Sequence, residues 1–235
     1  MSNAAAQTVA ITGAAGAIGS VVARRFAEAG WRLGLIDYGE ANARTLRETF
    51  PEAHVVDADL VDEAAARDAV RAVEEAVGPV EALLNIAGGF AMQPAAEATA
   101  DDLARMHRIN FVTLFNATRA VLPSMRERGR GFVLGVAAAA ALEGAGGAAL
   151  YAASKASVAA YVKSLHDELR EDGVRATVLY PMGVVDTPAN REAMPDADPA
   201  TWIDPEEIAD SVLHLATRGP RGHVRELQIF APSVA

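Results

Sequence analysis

Thr8-Val-Ala-Ile-Thr-Gly-Ala-Ala-Gly-Ala-Ile-Gly19 is an apolar run that breaks into glycines at 13, 16 and 19. The stretch after it, Ile18 to Ala29, carries Ile18, Val21, Val22 and Phe26 at helical spacing. The pattern predicts a strand, a glycine turn and a helix. A turn of this kind lets the backbone approach a pyrophosphate, which the free N–H groups and dipole of the helix N-terminus stabilise. Gly13, Gly16, Ala17, Ile18 and Gly19 are therefore the first candidate binding residues.

The unit recurs along the chain. Strands are predicted at Trp31 to Ile36, Ala53 to Val56, Val80 to Ile86, Gly131 to Val136, Val174 to Tyr180 and Val224 to Phe230. Helices are predicted at Ala41 to Thr49, Asp62 to Val77, Asp101 to Arg128, Ala149 to Asp172 and Pro205 to Thr217. The long one is expected to bend at Pro123, where an N–H is missing. Apolar, unalternating strands that alternate with helices predict an α/β fold: one Rossmann-like, doubly wound parallel sheet covered on both faces, spanning residues 8–235. Residues 1–7 read as a disordered leader or a non-native remnant, lacking the basic and apolar regions of a secretory signal.

Composition narrows the function. A net charge of −10 argues against nucleic acid and anionic membrane as main partners, since both are bound chiefly through basic patches. The longest apolar runs, such as Val136 to Leu142, fall far short of the roughly 20 residues of a membrane helix. The absence of cysteine excludes disulfides and thiol catalysis and fits a cytoplasmic location. The five histidines show no ligand spacing, and no metal site is expected.

Two further patterns carry chemistry. Asp37 ends the second strand just over 20 residues after the glycine turn, where an acid accepts hydrogen bonds from an adenosine ribose and repels a 2′-phosphate. No basic residue stands at 15 or 38 to receive that phosphate, so NAD(H) is favoured over NADP(H). Asp59 either caps a helix or meets the adenine edge. In Ala149-Leu-Tyr-Ala-Ala-Ser-Lys-Ala156, Tyr151 and Lys155 are four apart and share a helix face. An ammonium beside a phenol is expected to lower the tyrosine pKa from about 10 and suit it to proton transfer.

In this order the motifs resemble the short-chain dehydrogenase/reductase family, from about Val9 to Phe230. The residues that carry the resemblance are Thr12 to Gly19, Asp37, Asp59, Asn85-Ile-Ala-Gly88, Asn110, Tyr151 with Lys155, and Pro181 to Thr187. The resemblance implies Tyr151 as general acid/base, Lys155 tuning it and binding the nicotinamide ribose, and Asn110 holding a water in a proton relay. It places Asn85, Ala87, Gly88 and Pro181 along the cofactor, and Val185 and Thr187 at the nicotinamide carboxamide. It also implies a homodimer or homotetramer, joined through the long helix and the Tyr151 helix, with Ala152, Ala156, Ala159 and Ala160 allowing close contact.

Three departures stand out. Ala17 replaces a family glycine, Met182 separates Pro181 from Gly183, and Ala138 stands where the family has a serine that hydrogen-bonds the substrate carbonyl. Losing such a donor typically costs about 10²- to 10³-fold in rate. The segment Asp186 to Asp198 with Trp202, together with Ala87-Gly-Gly-Phe90, resembles the dihydropteridine-reductase-like subgroup, which manages without that serine. A quinonoid dihydropterin is a conjugated acceptor that forms no localised alkoxide. Two other readings remain open: an ordinary alcohol or ketone dehydrogenase, and a catalytically weak NAD-binding sensor or scaffold. The proline-, methionine- and acid-rich stretch around 186–204 is expected to form a substrate lid. Phe90, Met92, Met182, Met194 and Trp202 could line an apolar pocket or simply pack, and Gln93 is a candidate polar contact for a small carbonyl or quinonoid substrate.

Overall fold

A computed structural model describes residues 7–219 and 221–232. Among them, seven strands form one sheet: β1 (Thr8–Thr12), β2 (Arg32–Asp37), β3 (His54–Asp57), β4 (Val80–Asn85), β5 (Gly131–Val136), β6 (Val174–Met182) and β7 (Glu226–Phe230). The order is β3-β2-β1-β4-β5-β6-β7, with every pairing parallel. Order reverses between β1 and β4. At such a switch point the loops leave the sheet in opposite directions and open a crevice at the strand C-termini.

Side-chain alternation splits the core in two. Val9 and Ile11 of β1 face Val22 and Phe26 of α1 (Ala17–Glu28), while Ala10 faces the opposite layer. The first layer is completed by Ile208 and Val212 of α9 (Pro205–Thr217). The second is built from Val70 and Val73 of α3 (Glu63–Val77), Leu114 and Val121 of α5 (Thr113–Glu127), and Val158 and Val162 of α7 (Ala149–Leu169). Helix α2 (Glu40–Thr49) covers the β2 end of the first layer. Three short helices, α4 (Ala100–His107), α6 (Ala140–Glu143) and α8 (Pro188–Ala193), sit at the ends.

The predicted long helix runs unbroken from Ala100 to Glu127, but not as α-helix throughout. Residues Arg108–Val112 form a π turn between α4 and α5, with the Thr113 N–H bonded to the Arg108 carbonyl. Pro123 lies inside α5 on its exposed side, where water can satisfy the carbonyl left without a donor. The π turn holds Asn110, whose side chain binds the backbone of Gly89. Of the expected leader, residues 1–6 lie outside the described residues, and the carbonyl of Gln7 accepts from the Arg32 N–H at 2.8 Å. Residues 186–204 hold α8 and a 3₁₀ turn at Pro199–Thr201, tied down by a Val185–Ile203 bridge.

Gly34 of β2 lies where α3 presses on the sheet, and a Cβ there would sit 2.2 Å from Val73 Cγ1. Gly34→Ala should destabilise the fold by about 1–3 kcal/mol in urea unfolding. Adding Val73→Ala should recover part of that loss, whereas independent, additive costs would contradict the contact.

Candidate active site

The crevice is held together by backbone and one hydroxyl. The Thr12 Oγ1 accepts from the N–H groups of Ile86 and Ala87, both at 3.2 Å, tying the end of β1 to the loop after β4. Gly13 has a φ of 67°, and a Cβ on it would lie 2.7 Å from Ala87 Cα. A Cβ on Gly19 would lie 2.1 Å from the Gly13 carbonyl oxygen. Only glycine lets the turn and α1 close this tightly. Gly16 caps α1 without a side chain, and the first turn, which includes Ala17, Ile18 and Gly19, carries no acid. Its N–H groups have no partners inside the helix, so the cradle fits the pyrophosphate of a dinucleotide.

At the other side of the turn, Asp37 closes β2. Its Oδ2 accepts from the Ala15 N–H at 2.8 Å, and its Oδ1 from the Tyr38 N–H at 2.8 Å and the Asn42 amide at 2.9 Å. Asp59 accepts from the Val61 N–H at 2.9 Å and lines a cleft of about 520 Å³ with Tyr38, Val61, Arg105, Arg108 and Ile109. Asp62, not Asp59, caps α3, accepting from the Ala65 N–H. Tyr38, which lines this cleft, is exposed.

The reacting end is assembled by α7 and the π turn. Lys155 is buried, and its Nζ donates to the Val136 carbonyl at 2.9 Å. Asn110 is fully engaged: its Oδ1 accepts from the Gly89 N–H, and its Nδ2 donates to the Gly89 carbonyl, all at 3.0 Å, and to Ser154 Oγ at 3.1 Å. Ser154 Oγ in turn donates to the Tyr151 carbonyl at 2.7 Å. A Cβ on Gly88 would meet Asn110 Oδ1 at 2.5 Å and Lys155 Nζ at 3.3 Å, so these groups converge on one point beneath that glycine. The Tyr151 hydroxyl makes no hydrogen bond among the described residues, while its ring meets Phe90 edge-on at 4.9 Å.

The expected electrostatics need correction. Burial pushes the Tyr151 phenol above its ordinary value, and pushes the Lys155 ammonium down to about 8. Desolvation of both groups outweighs any lowering of the tyrosine by the lysine in the free protein. Lys155 directs its proton to a carbonyl instead of to the phenol.

The remaining candidates divide. Ala138, on the loop after β5, presents a methyl group. Its neighbour Ala139 donates its N–H to the Pro181 carbonyl at 3.1 Å, which fixes the β5 and β6 ends together. Thr187 Oγ1 accepts from the Asn190 N–H at 3.2 Å, which leaves its hydroxyl hydrogen free to donate. Val185 is buried, and its carbonyl receives the Asn190 amide at 2.8 Å. Asn85 is turned into the sheet, donating to Thr118 Oγ1 and the Leu134 carbonyl, so its side chain braces β4 instead of facing the crevice. Met182 is core, and Trp202 is buried against a different cleft of about 300 Å³ that Asp186 and Arg191 also line. Gln93 ties its N–H to the Gly147 carbonyl at 2.7 Å and its amide to the Glu97 carbonyl. Phe90 and Met92 are each 62% exposed, and Met194 is half-buried. Thr12 and Ser154 were not singled out by sequence reasoning. Their hydroxyls act through partners far along the chain, and only Ser154's place between Tyr151 and Lys155 hinted at a role.

Known proteins resemble this chain in sequence and fold. Sulfoacetaldehyde reductase 2 of Chromohalobacter salexigens is 32% identical over 235 residues, covering 94% of this chain and 93% of that protein. The crystal structure of 3-ketoacyl-(acyl-carrier-protein) reductase from Brucella melitensis with NADH superposes with a TM-score of 0.85 at 26% identity, covering 96% of this chain and 97% of that one. Actinorhodin polyketide ketoreductase with NADPH gives 0.87 at 28% identity, covering 96% of each chain. Residues 7–198 match the family described as short chain dehydrogenase, and the chain is a member of that family of oxidoreductases.

Proposed function

We propose that the protein is an NAD(H)-dependent reductase that moves hydride between nicotinamide and a small carbonyl or quinonoid acceptor, with a quinonoid dihydropterin as the acceptor tested first. The observation that carries this reading is the convergence of Lys155 Nζ and Asn110 Oδ1 beneath Gly88, one helical turn along α7 from Tyr151, in a chain that has alanine at 138. A bound nicotinamide would supply the hydride. Tyr151, kept protonated by burial, donates the proton to the acceptor. Lys155 keeps one N–H on the Val136 carbonyl and offers its others to a ribose hydroxyl. Asn110 fixes Gly89 and Ser154, and through them the geometry of Phe90 and Tyr151.

With no hydroxyl at 138, an acceptor that must develop a localised alkoxide is poorly served. An acceptor that spreads charge through a conjugated ring is not. The exposed faces of Phe90 and Met92 beside Tyr151 suit a planar, apolar ring. The carbonyl alternative draws support from the relative named for sulfoacetaldehyde. Asp37 favours NAD(H), with its carboxylate already ordered at the turn. We further propose a cytoplasmic homodimer or homotetramer. Of the four alanines expected at the contact on α7, Ala152 and Ala159 are buried within the protomer, while Ala156 is half-buried and Ala160 exposed. The half-buried aromatic cluster of Phe111 in the π turn, Phe115 on α5 and Tyr161 on α7 offers a further contact surface.

NADH oxidation with freshly generated quinonoid dihydropterin should be rapid in the wild type and fall by about 10²- to 10⁴-fold in Tyr151→Phe. Ala138→Ser should leave that rate little changed; a gain of about 10²-fold on simple ketones instead would move the assignment to the ketone dehydrogenase reading. Binding of NADH without turnover on any acceptor would favour a sensor. In a pH profile, kcat/KM for reduction should be level at low pH and fall as pH rises through about 8, where Lys155 loses its proton. Tyr151 stays protonated across that range, so a profile flat to pH 10 would contradict the role of Lys155. Light scattering should give at least twice the 24.5 kDa chain mass, and Phe115→Glu should lower it.

A further inference from the structure

The carboxylate of Asp37 is held from three sides before any cofactor arrives. An ionised carboxylate offers about four lone-pair directions. On Oδ1 both are taken, by the Tyr38 N–H and the Asn42 amide, and on Oδ2 one is taken by the Ala15 N–H. One direction on Oδ2 remains. Two of the three donors are backbone groups that any residue would supply at those positions. Asn42 is the side chain that completes the set, and nothing in the glycine-turn pattern marks it.

Asn42 lies in the first turn of α2, exposed, on a helix whose N-cap, Gly39, contributes no side-chain bond. Both hydrogens of its amide point back past the helix start, one to Asp37 Oδ1 at 2.9 Å and one to the Tyr38 carbonyl at 3.0 Å. The second bond fixes the amide plane, so the first has a set direction. The backbone beneath is equally constrained, with the Asp37 carbonyl accepting from the Ala58 N–H at 2.9 Å and the Gly39 N–H donating to Asp57 Oδ1 at 2.7 Å.

We infer that Asn42 is the positioning residue for cofactor choice, locking the Asp37 carboxylate in the one orientation that accepts a ribose hydroxyl and confronts a 2′-phosphate. This rests on the NAD(H) reading above. The terminal torsion of an aspartate is broad and roughly two-fold, so a carboxylate held by backbone alone can turn. A carboxylate free to turn evades the 2′-phosphate and softens its repulsion. Held by Asn42, it cannot turn without breaking a bond to a charged oxygen, and it needs no further ordering to receive a hydroxyl.

The test is calorimetric titration of NADH and NADPH into wild type, Asn42→Leu, Asn42→Ala and Asp37→Ala, with thermal melts of each. The wild type should bind NADH more tightly. Both Asn42 variants should lower the ratio of the NADPH Kd to the NADH Kd by roughly ten-fold, the scale of one hydrogen bond to a charged group. Their melting temperatures should stay near that of the wild type, because the side chain is exposed. Asp37→Ala should erase the discrimination. An unchanged ratio in both Asn42 variants, with discrimination erased by Asp37→Ala, would overturn the role of Asn42 and leave the NAD(H) reading standing. Wild-type protein that binds NADPH as tightly as NADH, with Arg105 and Arg108 of the neighbouring cleft as counter-charges, would overturn both.

Discussion

Everything in the site depends on how closely two backbones approach where β1 and β4 leave the sheet. Thr12 bridges them with one oxygen that accepts two N–H groups, and Gly13 packs against Ala87 with no room for a Cβ. Parallel strands on either side of a switch point send their loops apart, so such contact has to be made by groups with almost no bulk. Glycines at 13 and 19 and a single hydroxyl meet that condition. The crevice is thereby a product of backbone geometry, and side chains enter it only from further along the chain.

The reacting end shows a second constraint, desolvation. Tyr151 and Lys155 share a helix face, yet burial drives each toward its neutral form. A phenol that keeps its proton is able to give one away. The π turn has the complementary task of bringing Asn110 out of the helix ladder and onto Gly89. A regular helix would direct that side chain elsewhere, and π turns are frequently found at functional sites for this reason. The asparagine therefore serves first as a clamp, with its amide bonds spent on Gly89 and Ser154.

Much of this was legible in the sequence, and the reasons differ by residue. The strands of β1, β4 and β5 are short apolar runs that have nowhere to go but a doubly covered sheet. Asp37 and the glycine turn are separated by one βα unit, so their meeting follows from the connectivity alone. Element ends moved by up to three residues, and the helix expected to bend at Pro123 carries a π turn around Asn110. A proline on the solvent side of a helix costs one hydrogen bond that water replaces; an asparagine with two backbone partners on another loop reshapes the helix around it. No local pattern announces that second case.

The sequence by itself determined the parallel sheet, the glycine cradle and the shared helix face of Tyr151 and Lys155, because these rest on periodicity and on neighbours within one or two elements. Only the tertiary structure decided that Asn85 and Met182 face the core, that Trp202 borders another cleft, and that Lys155 donates a hydrogen bond to the Val136 carbonyl. The same holds for the locking of Asp37 by Asn42. Those outcomes turn on which way a side chain points once distant elements pack, and on how much water the packing removes. Spacing along a chain carries neither.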